Sequence, residues 1–293
     1  MNAMIAEFIS SISDVDADSW QRLWNTDYPF IQHNFLQALE ESQCVCVDSG
    51  WEVQHLLVWN NSRTQLLAAM PLYLKTHSYG EYVFDWAWAD AYQRYGREYY
   101  PKLLNAIPFT PATGPRLAID EKQDRGQLSQ FIIGHLQTTA KDINASSCHF
   151  LFPDTATKAQ LQSQEGLLLR DAVQFHWFNR DYKNFDEFLE TFKSRKRKNL
   201  RNERLKVAGQ GIELRQVEGP DISEEQWHRF YHFYHMTYLK RSGRQGYLNK
   251  EFFQQLAKNC STSIMMVQAF NGEEMVAGAL YFKDQKNLYG RYW

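Results

Sequence analysis

The segment Lys193-Ser194-Arg195-Lys196-Arg197-Lys198-Asn199-Leu200-Arg201-Asn202-Glu203-Arg204-Leu205-Lys206 carries eight basic side chains and one acid. At helical spacing Arg197, Arg201 and Arg204 share a face, with Lys193 one turn earlier. Like charges held this closely repel, so an anion is their natural complement: a nucleotide phosphate, a sugar diphosphate or a tRNA backbone. A solvated basic face near a helix C-terminus, where cations suit the helix dipole, accounts for the same residues without a ligand. The density of the cluster puts the anion-binding reading slightly ahead.

A second group is His77-Ser78-Tyr79-Gly80-Glu81-Tyr82-Val83-Phe84-Asp85-Trp86-Ala87-Trp88-Ala89-Asp90-Ala91-Tyr92. Read as a strand over 81–86, it puts Glu81, Val83 and Asp85 on one face and Tyr82, Phe84 and Trp86 on the other. Two carboxylates beside indole and phenol rings resemble a cleft wall, where a carboxylate with raised pKa can take a proton from an amine. Capping of the following helix is the competing role for Asp85, on equal terms, and the favoured one for Asp90. Trp86, Trp88, Tyr92, Arg170 and His176 are the candidate cleft lining. Arg116, after the loop Pro108 to Pro115, is placed to reach a phosphate or carboxylate. The basic turn Lys240 to Tyr247 is a further anion contact.

Other chemistries find little support. Lys206-Val207-Ala208-Gly209-Gln210-Gly211 looks like a pyrophosphate loop, but its glycines end a helix and precede a strand, which is the context of a C-cap. No metal-ligand spacing links His33, His55, His149, His232 and His235, so no metal is expected. Dinucleotide, Walker and Gly-x-Ser-x-Gly motifs are not present.

The 293 residues include 32 Lys+Arg and 34 Asp+Glu, so the net charge of −2 names no partner. Hydrophobic residues at 44% and charged residues at 23% are ordinary for a globular chain and exclude disorder. Aromatics reach 15%, enough to fill a large core and line a cleft. No apolar run approaches the roughly 18 residues of a membrane helix, and the acidic N-terminus is not a secretory signal. Cys44, Cys46, Cys148 and Cys260 lack zinc or redox spacing. Reduced thiols and a cytoplasmic location are the expectation.

Those candidates need a scaffold of alternating elements. A strand over 8–12 and two helices, the second over 33–42, lead to a hairpin of 53–59 and 65–75, then the strand over 81–86. A helical stretch over 88–107 broken by Pro101, a helix over 128–136, a strand over 148–152 and one or two strands over 166–179 complete the first part. The second begins with a helix over 185–207, then a strand over 212–217, helices over 224–241 and 250–258, and a hairpin of 264–270 and 275–282 around Asn271-Gly272. A strand over 288–293 follows. The order strand, helices, hairpin, third strand thus occurs twice, and both third strands begin alike, Tyr79-Gly80-Glu81-Tyr82 and Tyr289-Gly290-Arg291-Tyr292. This is the order of the N-terminal part of a GNAT-type acyltransferase fold. The class expected is therefore α/β (α+β), with mixed, mostly antiparallel sheets flanked by helices. Residues 1–180 form the first domain, and 181–293 the basic helix and front of a second. A chain ending inside an apolar strand leaves unpaired backbone groups, so a longer protein continuing into a helix is expected.

The block His77 to Tyr92, the loop Pro108-Phe109-Thr110-Pro111-Ala112-Thr113-Gly114-Pro115-Arg116, the segment Gln174-Phe175-His176-Trp177 and the helix Ser194 to Arg201 resemble the bacterial FemAB-like proteins. The resemblance runs from about Tyr28 to Trp293. That family is associated with peptidoglycan biosynthesis or recognition and grouped with acyl-CoA N-acyltransferases. The resemblance implies tandem GNAT-like domains and a kinship to the Fem aminoacyl transferases, without their long helical arm. It also implies acyl-CoA or aminoacyl-tRNA as co-substrate rather than a tightly bound cofactor. The partner expected is an anionic or nucleotide-linked substrate, with tRNA a further candidate.

The expected reaction is N-acyl transfer, an amine attacking an activated carbonyl. Asp85 or Glu81 would take the proton and Tyr82 or backbone N–H groups would face the oxyanion. Arg116, Lys193, Arg197, Arg201 and Arg204 would hold phosphate. A non-catalytic module of the same fold, recognising a cell-wall precursor or other phosphate-bearing ligand, is the alternative.

Overall fold

A bent hairpin organises the first half of the computed structural model, which describes residues 4–292. Strand β1 (Met4–Ile9), helices α1 (Ala17–Trp24) and α2 (His33–Glu41), and strands β2 (Trp51–Val53), β3 (His55–Asn60), β4 (Leu66–Met70) and β5 (Tyr73–Lys75) come first. Strands β2 and β3 run through Gln54 almost without a break, as do β4 and β5 through Pro71 and Leu72. The hairpin therefore passes from one sheet into another. At the bend Pro71 has no N–H to offer, and side chains complete the ladder. The Leu72 N–H donates to Nδ1 of His55 (3.2 Å), and Nδ2 of Asn105 donates to the Pro71 carbonyl (2.6 Å).

Helix α3 (Trp86–Arg94), strands β6 (Lys102–Asn105) and β7 (Ala118–Ile119), helix α4 (Arg125–Asp142), strand β8 (Cys148–Phe150) and helix α5 (Thr155–Gln162) follow. The first sheet has the order β1-β3-β4-β7 and the second β2-β5-β6-β8. Both faces of the first sheet are covered. Leu57, Leu66 and Ala69 point into the larger core, while Leu56, Val58, Leu67 and Met70 join Ile132, Ile133 and Leu136 of α4. Two covered faces explain why these strands read as unbroken apolar runs.

Helices α6 (Phe185–Glu190) and α7 (Ser194–Ala208), strand β9 (Ile212–Glu218), helices α8 (Glu224–Ser242) and α9 (Lys250–Asn259), and strands β10 (Ile264–Asn271), β11 (Glu274–Lys283) and β12 (Leu288–Tyr292) form the remainder. Their sheet has the order β12-β11-β10-β9. Strand, two helices and hairpin are connected here as in β1-α1-α2-β3-β4, with the same antiparallel pairing. One aromatic core joins the halves: Phe30 lies 4.9 Å from Phe282, and Phe35 6.0 Å from Phe252. Tyr28 meets Tyr289 at 5.7 Å.

Several sequence expectations are corrected. Residues 81–86 form no strand, so the Tyr79 to Tyr82 text is a turn, whereas Tyr289 to Tyr292 lies in β12; Trp293 falls outside the described residues. The stretch 88–107 divides into α3 and β6, because Gly96 at φ +65° ends the helix before Pro101. The strands expected over 166–179 are exposed chain without a ladder partner. The helix expected over 185–207 is broken at Thr191–Lys193, and it ends at Gly209, which is still right-handed (φ −70°); the left-handed residue is Gly211 (φ +70°), at the turn into β9.

Candidate functional site

The loop 76–85 closes over a buried group of charges whose positions come from the second sheet. Lys75 of β5 and Lys102 of β6 are directly opposed in the antiparallel register, on one face, and both are fully buried. Opposed like charges are unfavourable, and the loop supplies the compensation. Lys102 Nζ donates to Glu81 Oε2 (2.9 Å), Asp85 Oδ2 (2.6 Å) and Ser78 Oγ (2.9 Å). An ammonium has three N–H groups, so Lys102 is fully engaged. Tyr99 donates a further hydrogen bond to Asp85 Oδ2 (2.7 Å), and the Ser78 and Tyr100 hydroxyls are bonded (2.8 Å).

Lys75 has a different environment. Trp51, its cross-strand partner in β2, lies beneath Nζ at 3.8 Å from the ring centre. Among the described residues its single hydrogen bond is a long one to the Tyr79 carbonyl (3.5 Å). Burial pulls its pKa down to about 7, with Glu81 opposing and the Lys102 charge adding to the effect. Glu81 moves the other way: burial raises its carboxyl above the ordinary value despite the Lys102 ammonium. Burial alone would also raise Asp85, but hydrogen bonds from Lys102 and Tyr99, with Ser78, outweigh it and hold it low. The second oxygens, Glu81 Oε1 and Asp85 Oδ1, are buried without a hydrogen-bond partner among the described residues. His149, beside this group, is pushed down to about 4 by burial and by the Lys102 charge.

The two-sided pattern expected of 81–86 survives without a ladder. Glu81 and Asp85 point inward while Tyr82, Phe84 and Trp86 point out. Asp85 occupies the N-cap position of α3 but makes no cap hydrogen bond, because its carboxylate is turned to Lys102 and Tyr99; Asp90 lies inside the helix and caps nothing. Tyr82, at φ +58°, reaches towards Tyr238 and Arg291 at the junction of the halves. Lys75, Lys102, Ser78 and Tyr99 escaped the sequence reading. A lysine in each of two short apolar segments was the available signal, but their pairing is tertiary.

The other candidates lie elsewhere. Arg116 is fully buried, and its guanidinium donates to the carbonyls of Leu151 (2.8 Å), Pro115 (3.0 Å) and Ala112 (2.6 Å). It clamps the 108–116 loop over Tyr28 and is not a phosphate contact. Arg170 and His176 are exposed rather than buried in strands; Arg170 lies over Trp88 at 5.9 Å and His176 beside Gln174. Trp86 packs on Tyr79 and Tyr92 on Tyr99, so both flank the site, with Trp88 further out.

The basic cluster does not line a groove between the halves, because α7 has no buried residue. Arg201 meets Asp186 at 3.3 Å, Arg204 stacks on Phe185 at 4.1 Å, and Lys193 and Arg197 occupy the first turn. An open depression of about 480 Å³ beside α7 is lined by Asn199, Asn202, Glu203, Leu205 and Lys206, and by none of the buried charges. Among the described residues no helix is long and apolar enough to cross a membrane.

The chain belongs to the FemAB-like family, described as peptidoglycan biosynthesis/recognition, which it matches over residues 11–293. Among solved structures, the crystal structure of FemX is similar at 14% identity and a TM-score of 0.34, covering 80% of this chain and 51% of that one. The chain thus spans about half the length of that neighbour. No curated protein matches.

Proposed function

We propose that this chain contributes to N-acyl transfer, joining an acyl or aminoacyl group to an amine of a peptidoglycan precursor on a duplicated GNAT-like scaffold. The observation that carries the reading is the unequal pair of carboxylates held by Lys102. Asp85, kept ionised by its hydrogen bonds, holds Lys102 and the loop in place. Glu81, with its raised pKa and unpaired Oε1, is the proton acceptor for the attacking amine. Because Glu81 is only 3% exposed, the loop must part when substrate enters, which would confine the chemistry to the loaded state. Tyr82 is the oxyanion donor from the loop side, acyl-CoA or aminoacyl-tRNA the donor substrate, and the α7 cations a peripheral contact for its phosphates.

The test is an amide-forming assay with acyl-CoA or aminoacyl-tRNA as donor and UDP-linked muropeptides as acceptor. Replacing a general base costs roughly 10²–10⁴-fold, so Glu81→Gln is expected to lower turnover by at least a hundredfold with KM little changed. Equal turnover in Glu81→Gln and the unmodified chain would refute the assignment. One observation favours the alternative of a non-catalytic binding module: both carboxylates are shut away from solvent. Tight binding of a muropeptide without product from any donor would establish that reading instead.

A further inference from the structure

The junction of the two halves holds a cluster of hydrogen-bond donors that the buried lysines do not touch. Arg291 of β12 donates from its guanidinium to the Phe109 carbonyl, and its Cζ lies 5.0 Å from the centre of the Tyr292 ring. Tyr292 packs edge-on against Tyr234 at 5.9 Å, and Tyr234 lies 4.9 Å from Tyr238. Tyr238 meets Tyr247 at 6.1 Å, and Tyr247 stacks on Phe109 at 5.1 Å and 13°. These contacts close a ring back to Arg291. Tyr82 enters it from the loop, beside Tyr238 and Arg291.

Two members of the ring have unmet hydrogen-bonding capacity. Arg291 Nε is buried without a partner among the described residues. So is the Tyr292 hydroxyl, on a residue only 6% exposed; Arg291 and Thr110 lie close to it, but neither makes a hydrogen bond of normal geometry. Among the described residues Arg291 forms no ion pair with a carboxylate, so its charge faces phenols and a carbonyl. Desolvating a guanidinium without an anion is costly, and unsatisfied buried donors call for a specific account. An unpartnered N–H of a guanidinium and an unpartnered phenol O–H on adjacent residues match an oxyanion, which accepts from both.

We propose that Tyr82, Tyr238, Arg291 and Tyr292 form a receptor for a carboxylate or phosphate oxyanion at the junction of the halves. Arg291 supplies the charge and its Nε–H, Tyr292 a second donor from the floor, and half-exposed Tyr82 the outer wall and the entrance. A ligand bound here would contact both halves at once. Its role in acyl transfer rests on the function proposed above, whereas the binding itself does not.

The intact chain would be titrated with sodium acetate and, separately, inorganic phosphate at constant ionic strength. The ¹H–¹⁵N signal of the Arg291 Nε–H, assigned by its loss in Arg291→Lys, would be followed alongside calorimetric affinity. A saturable shift is expected, and the tighter anion identifies the ligand class. A charge-assisted hydrogen bond sets affinity by roughly tenfold, so Arg291→Gln is expected to weaken binding at least tenfold and Tyr292→Phe several-fold. Absence of a saturable shift, or unchanged affinity in Tyr292→Phe, overturns the proposal. Tyr292→Phe removes a single oxygen and keeps the ring, so it decides the matter even where Arg291→Gln fails to fold. Anion binding without amide formation in any assay would refute the transferase reading and leave the receptor standing; turnover without anion binding would do the reverse.

Discussion

Replacement of Lys102 by Met tests whether the buried charges hold the loop. Met has nearly the length of the lysine stem and fills the same space, so the packing term stays small. What changes is electrostatic: Glu81 and Asp85 each lose their counter-ion, and Ser78 loses its donor. Removing one partner of a buried ion pair typically costs about 3–5 kcal/mol, and for a chain of this size that lowers the melting temperature by on the order of 10 °C. The pH dependence is the sharper readout. In Lys102→Met both carboxyls titrate well above their unfolded values, so the folded state holds the extra protons and stability returns as pH falls through those raised values. The unmodified chain behaves otherwise at Asp85, whose lowered pKa contributes stability above the ordinary carboxylate range that is lost in acid. Chemical denaturation of both proteins between pH 4 and pH 8 (roughly the range over which carboxyls raised by burial titrate) should give curves that converge towards acid. Adding Glu81→Gln and Asp85→Asn to Lys102→Met should recover most of the loss at neutral pH. A destabilisation under about 1 kcal/mol that does not vary with pH would show that the carboxylates reach water, and the account of the loop would fail.

Three further predictions follow from single contacts. Lys75, lowered from 10.5 to about 7 by burial, is neutral in the folded state where the unfolded chain is charged, so stability should rise between those two pH values; Lys75→Met should abolish that rise in a pH series of urea melts. Gly80 has φ +80°, and an added Cβ would sit 2.6 Å from the Phe109 ring, which is held between Trp51 and Tyr247. Gly80→Ala is therefore expected to destabilise the fold by about 1–3 kcal/mol, and a neutral result in thermal melting would contradict the packing described. Arg116→Lys keeps the charge but cannot span three carbonyls; a loss of about 2 kcal/mol is expected, with anion affinity unchanged.

The elements that long periodic segments specify were legible. Helices α8 and α9 and the β3/β4 hairpin appear where the apolar spacing and turn residues put them, and the β10/β11 hairpin turns one residue later than Asn271-Gly272, at Gly272-Glu273. The helix end at Gly209 is legible because the following glycine, Gly211, takes a left-handed turn (φ +70°) into the strand. Segments governed by pairing were not. Residues 81–86 have strand-like alternation, yet Glu81 and Asp85 turn inward to Lys102, and among the described residues no strand pairs with them. Arg116 differs from the expected phosphate contact because an exposed and a buried arginine look identical in sequence; two carbonyls of its own loop (Ala112, Pro115) and that of Leu151 after β8 take up its guanidinium.

The order of amino acids by itself determined the repeated strand–helix–hairpin plan, the two-sided character of the 77–92 block, the dense charge of 193–206 and the resemblance to one family. Each of these depends on residue type and spacing within a few turns of chain. Tertiary structure alone decided that Lys75 faces Lys102 and that Trp51 lies beneath Lys75. It likewise set Arg291 among tyrosines from distant segments and left the basic helix in solvent. Strand register and burial fix the dielectric and the partners of a charge, and neither quantity is a property of local sequence.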